Sequence, residues 1–372
     1  MSARLRVLHC CYDDPENPWV GGGGARRVFE LYRRLGDRVE ATIATGNYPG
    51  ARTKDGEGLR VRRLGMPGPY VLSRLTYAVA ATRLLAGASY DVAVVDHSAY
   101  APVRVPRARA VGITVHHLTG PVAGARWGRV IGEMIGASER AMIRRAGVLS
   151  ATSAATARAL ASIVGDGTQI VRVAAGVDER FFTVERRPGN HVLYVGRLDV
   201  SQKGLDVLLD AWAKVPRRSG ERLVIAGRGP DADLLKARAA SLGIAASVEF
   251  AGGVSDESRD ALMASAVCQI VPSRFEGFGI VGAEALAAGV PLIVSDDPAL
   301  AELATGGGAA IVPRGDASAL AASIATLLRD DFARALLAER ARIKAAEFRW
   351  PVVMEAHLVY LCEIIAANKA RR

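Results

Sequence analysis

The sequence has few of the features that mark a secreted, a membrane-spanning or a nucleic-acid-binding protein. Its 372 residues include four cysteines with no CxxC pair and no metal-ligand spacing, which favours a reducing compartment. No window approaches about 18 uncharged apolar residues, so no transmembrane helix is expected. The first apolar run meets Asp13 and Asp14 at once, which argues against a signal peptide.

Charge is distributed unevenly along the chain. Residues 1–185 hold 25 Lys and Arg against 16 Asp and Glu, a net charge of +9. Residues 186–372 hold 23 against 22, a net charge of +1, and the two halves add to the +10 of the whole chain. The basic half could face anionic lipid, an acidic acceptor or nucleic acid. Nucleic acid is the least expected of these partners, because few aromatic residues and no nucleic-acid motif accompany the basic residues.

The most informative stretch is residues 272–296, PSRFEGFGIVGAEALAAGVPLIVSD. The apolar run before it predicts a buried parallel strand, and Glu276 then lies in a polar loop while Glu284 lies inside the following helix. Gly277 and Gly279 bracket the turn, where the backbone can adopt positive φ or approach a ligand. The N–H groups expected at the start of that helix, a ready site for phosphate, belong to Phe278, Gly279 and Ile280.

This stretch resembles the signature of retaining glycosyltransferases of the GT-B fold, family 4. The family's mark is two glutamates separated by seven residues in the frame SxxEGFGxxxxEAxAxGxP. Two glutamates at this spacing alone are weak evidence, since a solvated helix face and turn glycines would also produce them; the whole frame is specific. The matching positions are Ser273, Glu276, Gly277, Phe278, Gly279, Glu284, Ala285, Gly289 and Pro291.

The resemblance extends to a second loop of the C-terminal half. The segment HVLYVGRLDVSQKG reads as a strand, then Gly196 and Arg197, then Lys203 opening a helix, and it is similar to the family's donor-phosphate motif. Transfer from a nucleotide diphosphate needs cations at the leaving group, which a metal-independent enzyme must supply from side chains and helix ends. The ordinary alternative is a surface Arg and Lys. Gly229, in a later glycine turn, also fits the family's layout.

Electrostatics assigns roles to the two glutamates. Facing a diphosphate they would repel it, so they must bind neutral hydroxyl groups. The resemblance implies that Glu284 binds the ribose and Glu276 the donor sugar, while Arg197 and Lys203 stabilise the departing diphosphate.

In the N-terminal half, two positions fit the family. A loop of four glycines leads from a predicted strand to a helix from about Ala25, and the family's glycine pair maps to Gly23 and Gly24. His116 follows the predicted strand AVGITV, and the resemblance implies that it contacts the donor sugar; His117 is the alternative, and so is a structural histidine. Glu139 and Ser153 are interpreted as scaffold, the latter as a helix N-cap.

One segment departs from the family's pattern. The family usually has PNGVD between its domains, and this chain has Ala174 and Ala175 where Pro and Asn are common. Any contact made by that asparagine is therefore absent, while Asp178 keeps its place.

Alternating strands and helices in both halves predict an α/β protein with two doubly wound, Rossmann-like domains. The resemblance implies that they face a cleft. We expect residues 1–185 to bind the acceptor, 186–350 to bind the nucleotide sugar, and a C-terminal helix at 351–372 to cross back to the first domain.

The predicted function is metal-independent, retaining transfer of a sugar from a UDP- or GDP-linked donor to an acceptor hydroxyl, without a cofactor. The catalytic residues implied are His116, Glu276, Arg197 and Lys203. The acceptor could be a glycan, a lipid-linked sugar or a small glycoside. A nucleotide-sugar epimerase of the same fold and a catalytically silent donor-binding subunit are the alternatives.

The predicted helix at 70–87 is apolar nearly all round. It could be buried between the sheet and its neighbours, or rest on a membrane with arginines at the headgroups. The expected location is cytoplasmic, with possible contact at the inner face of the cytoplasmic membrane.

Overall fold

The structure is a computed structural model that describes residues 4–19, 22–51, 55–56, 59–98, 100–106 and 108–371. The chain divides into two compact units, Met1–Gly176 with Trp350–Arg372, and Val177–Arg349. The N-terminal segment of the first unit therefore ends at Gly176, before the boundary that the sequence predicted between residues 185 and 186. The C-terminal helix belongs to the first unit, as the resemblance implied.

In the first unit, short strands alternate with longer helices along the chain. Its strands are β1 (Leu5–Cys10), β2 (Val39–Gly46), β3 (Asp55–Gly56), β4 (Leu59–Leu64), β5 (Val92–Asp96), β6 (Val111–Val115), β7 (Val148–Ala151) and β8 (Gln169–Arg172). Its helices are α1 (Gly23–Leu35), α2 (Tyr70–Gly87), α3 (Thr119–Trp127), α4 (Arg129–Ile143), α5 (Ala154–Ala161) and, from the end of the chain, α15 (Trp350–Ala370).

Within the described residues of this unit, the strands form one sheet in the order β3-β4-β2-β1-β5-β6-β7-β8. All neighbours are parallel except the short β3, which pairs antiparallel with β4. The order runs outward in both directions from the β1/β5 pair, so the crossovers on the two sides leave in opposite directions.

The second unit repeats the pattern. Its strands are β9 (His191–Val195), β10 (Arg222–Ala226), β11 (Val248–Gly252), β12 (Ala266–Val271), β13 (Leu292–Ser295) and β14 (Ala310–Val312). Its helices are α6 (Glu179–Phe182), α7 (Val200–Lys203), α8 (Leu205–Lys214), α9 (Ala232–Ser241), α10 (Asp256–Ser265), α11 (Ile280–Ala287), α12 (Pro298–Leu303), α13 (Ala317–Arg329) and α14 (Asp331–Ala345).

These strands form a parallel sheet in the order β11-β10-β9-β12-β13-β14, a doubly wound arrangement in which the first and fourth strands of the unit are neighbours. One core cluster packs α8, α9 and α13 against the strands, with the ring of Trp212 fully buried. The reversal of strand order falls between β9 and β12, and in such sheets ligands bind at this reversal, outside the carboxyl ends of the strands.

Two helices of the first unit differ from their predicted form. Helix α1 begins at Gly23 rather than near Ala25, so the glycine pair lies in its first turn. Helix α2 is neither buried all round nor fully exposed. Ser73, Arg74 and Tyr77 are among its buried residues, whereas its outer residues, Val71, Leu72, Leu75 and Val79, are apolar and exposed.

Within the described part of the chain, α15 is the one helix long and apolar enough, by length and composition alone, to cross a membrane. Length and composition of this kind also occur in core helices. Here α15 packs against α1 and the strands β5 to β8, with His357, Tyr360, Leu361 and Ile364 buried. It therefore covers the sheet of the first unit.

Helices α3 and α4 pack at unusually short distance because glycines face each other. A Cβ built on Gly132 would lie 2.5 Å from Cα of Gly124, and one built on Gly120 would lie 2.9 Å from Cα of Gly136. Real Cβ atoms are not found so close to backbone, so only glycine fits at these crossings.

This packing predicts that Gly132→Ala lowers the free energy of unfolding by about 1–3 kcal/mol, because the added methyl group forces two backbones apart. Urea unfolding of the full chain measures the change. Gly87→Ala is the matched control, since Gly87 ends α2 with no atom within 4 Å of a built Cβ. That variant should unfold like the wild type or slightly later, because alanine loses less backbone entropy on folding. Equal stability of Gly132→Ala and the wild type would contradict the close packing.

Candidate active site

Two loops meet at the reversal of strand order in the second unit. One follows β9 and carries Arg197 and Lys203, and the other follows β12 and carries Glu276. Because β9 and β12 are parallel neighbours, both loops leave the same edge of the sheet. The sequence predicted both loops, and the structure brings their charged residues together.

The two loops are held against each other by contacts that leave no room for larger residues. Gly204 has φ of 65°, and a Cβ built on it would collide with the carbonyl oxygen of Pro272. The carbonyl oxygen of Gln202 accepts hydrogen bonds from the backbone N–H groups of Arg274 (2.8 Å) and Phe275 (3.3 Å). The position of one loop therefore fixes the position of the other.

A second tie between the loops is an ion pair that the sequence did not predict. Arg274 donates two hydrogen bonds to Asp206, each of 2.8 Å, and one of 2.7 Å to the carbonyl oxygen of Val200. Burial raises the pKa of Asp206, but the hydrogen bond and charge of Arg274 outweigh it and hold that pKa below its ordinary value. A bidentate pair of this geometry orders both side chains.

Lys203 and Glu276 form the central pair of this site. The Lys203 Nζ lies 2.6 Å from Glu276 Oε2, with the side chains 20% and 17% accessible. The hydroxyl of Ser273 also donates to Glu276 Oε2 at 3.3 Å. A cation and a carboxylate thus stand together at the sheet edge, partly shielded from water, where a ligand can contact either one.

Arg197 extends from the β9 loop into solvent. Its side chain is 57% accessible, and it donates to Gln202 Oε1 at 2.5 Å. The backbone below it is fixed, since the hydroxyl of Tyr194 donates to the carbonyl oxygen of Arg197 at 2.9 Å. The backbone of Arg197 is therefore fixed, while its guanidinium, which also lies 3.8 Å from Asp199 Oδ2, is exposed to solvent over more than half of the side chain.

Helix α11 follows Glu276 and contains Glu284. Gly279 precedes it with φ of 88°, a left-handed conformation that glycine adopts without strain. The Phe278 ring is buried edge-on against Phe348, with ring centroids 5.3 Å apart, so only the backbone of Phe278 can serve a ligand. The Oε2 atom of Glu284 lies 3.6 Å from Nη1 of Arg259, and the Glu284 side chain is 13% accessible.

Two other predicted glycines have a packing reason. A Cβ on Gly229 would collide with the backbone of Leu198, and one on Gly196 would lie 2.9 Å from the hydroxyl of Tyr194. Both glycines allow the loop of Arg197 to lie close to its neighbours. Direct contact of Gly196, Gly229 or Gly277 with a donor stays a prediction.

In the first unit, His116 follows β6 and belongs to a buried chain of polar side chains. His116 Nε2 lies 3.0 Å from Asp96 Oδ2, and His9 Nε2 lies 3.0 Å from Asp96 Oδ1. His9 Nδ1 contacts the hydroxyl of Tyr32 at 2.9 Å, which in turn lies 3.1 Å from His357 Nε2. His116, not His117, is therefore the histidine held by Asp96.

The surroundings of Asp96 favour its ionised form. Burial raises its pKa, but the charges and hydrogen bonds of His116 and His9 outweigh that effect and hold the pKa well below its ordinary value. A carboxylate beside Nε2 orients the ring of His116 and leaves Nδ1 as its other polar atom. The sequence analysis missed Asp96, although its place at the end of the apolar run VAVV was a usable signal.

The two residues interpreted as scaffold have internal partners. Glu139 accepts hydrogen bonds from the backbone N–H groups of Thr119 and Gly120 and contacts His97 Nε2 at 2.8 Å. Ser153 precedes α5, and its hydroxyl accepts from the N–H of Thr156, which confirms the predicted N-cap.

Gly23 and Gly24 lie in the first turn of α1, and their ligand contact stays a prediction.

Metal ligands do not cluster in the described part of the chain. No group of three or more His, Cys, Asp or Glu side chains there is arranged to hold a metal ion.

Each of the two units matches a known protein family. Residues 178–346 match the family model described as Glycosyl transferases group 1, and residues 22–176 match the one described as Glycosyl transferase 4-like domain. A phosphatidyl-myo-inositol mannosyltransferase of Mycobacterium leprae is 35% identical over 188 residues, 50% of this chain and 49% of that protein. The matched part thus spans about half the length of that relative.

A longer match covers most of the chain. A glycogen synthase of Mycobacterium tuberculosis is 30% identical over 334 residues, which are 85% of this chain and 74% of that protein. Among solved structures, Anabaena HepE in complex with UDP and glucose has a TM-score of 0.75 at 18% identity, covering 96% of this chain and 100% of that one. With two doubly wound sheets and both family models matched, the chain belongs to the group 1 family of glycosyl transferases and has the GT-B fold.

Proposed function

We propose that this protein transfers a sugar from a nucleotide-diphosphate sugar to an acceptor hydroxyl, with retention at the anomeric carbon and without a metal. The observation that carries the proposal is the Lys203–Glu276 pair beside Arg197, at the reversal of strand order in the second unit. The group 1 family and the UDP and glucose bound to Anabaena HepE support it. The donor is UDP- or GDP-linked.

The cations of Arg197 and Lys203 suit the diphosphate of the donor, and the carboxylate of Glu276 suits the hydroxyl groups of its sugar. Arg197, whose side chain is 57% accessible, exchanges its contacts with Gln202 and Asp199 for the diphosphate, which the N–H groups at the start of α11 also bind. Lys203 contacts the same phosphate and keeps Glu276 in place, so the carboxylate can accept hydrogen bonds from the sugar hydroxyls. As the bond to the sugar breaks, negative charge grows on the diphosphate, where the cations stabilise it.

Retention does not use a pair of carboxylates on the two sides of the sugar. A retaining glycosidase holds such a pair about 5–5.5 Å apart. Here Glu276 is paired with Lys203, and Glu284 lies in the next helix beside Arg259. We assign Glu284 to the ribose, and the leaving phosphate assists attack by the acceptor on the same face.

Arg197→Ala and Lys203→Ala should each lower turnover at least about tenfold, roughly 1.4 kcal/mol of transition-state stabilisation, because each removes a cation from the leaving group. Transfer is measured with radiolabelled UDP- and GDP-sugars and an acceptor panel, and the anomer of the product is determined by NMR. Lys236→Ala is the matched control, because Lys236 lies on α9 with a side chain that is 58% accessible. Wild-type turnover in both test variants would reject the assignment, and an inverted product would reject retention.

Transfer should continue in EDTA, because side chains and helix N–H groups supply the positive charge that a metal would otherwise provide. The assay compares rates in buffer alone, in EDTA, and in EDTA followed by excess Mg²⁺ or Mn²⁺. Activity that EDTA abolishes and a divalent ion restores would reject metal independence.

Two alternatives use the same donor site. A nucleotide-sugar epimerase would convert the donor without an acceptor, and a silent subunit would bind the donor and transform nothing. Nucleotide-sugar binding would raise the melting temperature in all three cases, so binding alone does not separate them. Paired Lys203 and Glu276 with an accessible Arg197 favour the transferase, since a silent subunit has no need to keep all three.

We further propose that the protein is cytoplasmic and that its first unit contacts an anionic membrane through the outer face of α2. Four apolar side chains of this face, Val71, Leu72, Leu75 and Val79, are between 41% and 67% exposed. The net charge of +9 in residues 1–185 would attract the surface. Two arginines of this unit, Arg63 in β4 and Arg74 in α2, are largely withdrawn from solvent and do not belong to this face. Arg63 pairs with Asp14 at 2.5 Å, and Arg74 is 7% exposed and lies over the ring of Tyr12.

Membrane contact through α2 predicts that the double variant Val71→Ser, Leu75→Ser binds liposomes of anionic lipid about tenfold more weakly or worse, because two apolar side chains no longer leave water. Co-sedimentation measures binding, and wild-type binding should weaken from low to physiological salt. Ile311→Ser is the matched control, an equally exposed apolar residue (50%) of the second unit. Wild-type protein that stays in the supernatant at low salt would leave a soluble acceptor as the sole interpretation.

A further inference from the structure

A second basic site lies at the opposite edge of the second unit's sheet. A cavity of about 710 Å³ opens where β9, β12 and β13 begin, lined by Gly189, Ala266 and Pro291 at or just before their first residues. The donor-site loops follow the other ends of the same strands. Strand β12 has six residues at about 3.3 Å each, so on the order of 20 Å of sheet separates the two edges.

The lining of this cavity is strongly basic. It includes four arginines, Arg186, Arg187, Arg334 and Arg342, against one carboxylate, that of Glu339. Among the described residues, no carboxylate lies within ion-pair distance of Arg187 or Arg342. Four positive charges against the one carboxylate of the lining raise the energy of the empty cavity and favour an anion inside it.

Two of the arginines are held by hydrogen bonds within the protein, and the other two have side chains that can reach a ligand. Arg186 donates to the carbonyl oxygens of Met263 and Ala266, and Arg334 to the carbonyl oxygen of Leu327 at 2.6 Å and to Asp331. Burial, and next the charge of Arg342, lower the pKa of Arg186 to about 10, so it is still protonated near neutral pH. Arg187 and Arg342 have exposed side chains that can turn toward a ligand.

The rest of the lining suits the uncharged part of a small molecule. Pro188, Val267, Ala335 and Ala338 form apolar walls between the guanidinium groups, and the volume lies within the range of about 300–1,000 Å³ that small-molecule sites occupy. Guanidinium groups bind phosphate oxygens bidentately, with geometry that lysine cannot match. We propose that this cavity binds a soluble phosphate monoester such as a sugar phosphate, at a site separate from the donor site.

Isothermal titration of the full chain with glucose 6-phosphate, in the presence of saturating UDP, tests this site. Arg187→Ala combined with Arg342→Ala should raise the Kd at least tenfold. Arg340→Ala, on α14 but outside the cavity lining, is the matched control and should bind like the wild type. Lys203→Ala should also bind like the wild type, so the result does not depend on the proposed transferase activity.

A second measurement on the unaltered protein guards against misfolded variants. Phenylglyoxal modifies accessible arginines, and glucose 6-phosphate should protect Arg187 and Arg342 but not Arg340, as mapped by mass spectrometry. The proposal is overturned if the double variant binds as well as the wild type, if Lys203→Ala abolishes binding, or if protection is absent. Binding of phosphatidic acid vesicles at these arginines without binding of glucose 6-phosphate would also overturn it.

Discussion

The parallel pairing of β9 with β12 is the constraint on which the donor site depends. The strand order reverses between β9 and β12. After these two strands the chain therefore turns in opposite directions, and a gap opens between the two loops. Gly204 then lets the two loops touch at Pro272, and Arg274 and Asp206 tie them again. Lys203 and Glu276 can stand 2.6 Å apart only because this backbone arrangement holds each of them. A change in the loop of Gln202 would therefore disturb Glu276 as well, although the two are far apart in sequence.

Both units keep charged groups partly or wholly out of water, which costs free energy unless each charge has a partner. In the second unit the pairs are Lys203–Glu276 and Arg274–Asp206, and in the first unit Asp96 is held between His116 and His9. Such pairs add little net stability, because desolvation offsets most of the attraction. Their effect is to fix the direction of side chains at the ends of strands. Reactions that build charge in the transition state gain from groups already oriented, and these pairs supply that order.

The sequence predicted the parts of this site that follow from local pattern. Glu276, Arg197 and Lys203 lie in the segments that follow the buried strands β9 and β12, so their place at a sheet edge could be read from apolar runs and glycines. It did not predict Asp96, Arg259 or Arg274, because each depends on a partner from another part of the chain, and a sequence pattern does not show which distant side chains meet. The start of α1 was misplaced because a glycine pair resembles a loop, while the first helical turn tolerates glycine since its N–H groups need no helical partner. Arg63 and Arg74 are likewise withdrawn from solvent by distant partners, the carboxylate of Asp14 and the ring of Tyr12.

Helix α11 relates the two edges of the second unit's sheet. It begins at the Gly279 turn, carries Glu284, and ends just before Gly289, against which the guanidinium of Arg342 lies. It also packs along α14, the helix that contributes Arg334 and Arg342 to the basic cavity. The two sites therefore share a structural neighbour, since Arg342 lies beside the end of the helix that carries Glu284. A ligand at one edge can change affinity at the other only by the difference in its binding to two positions of this helix.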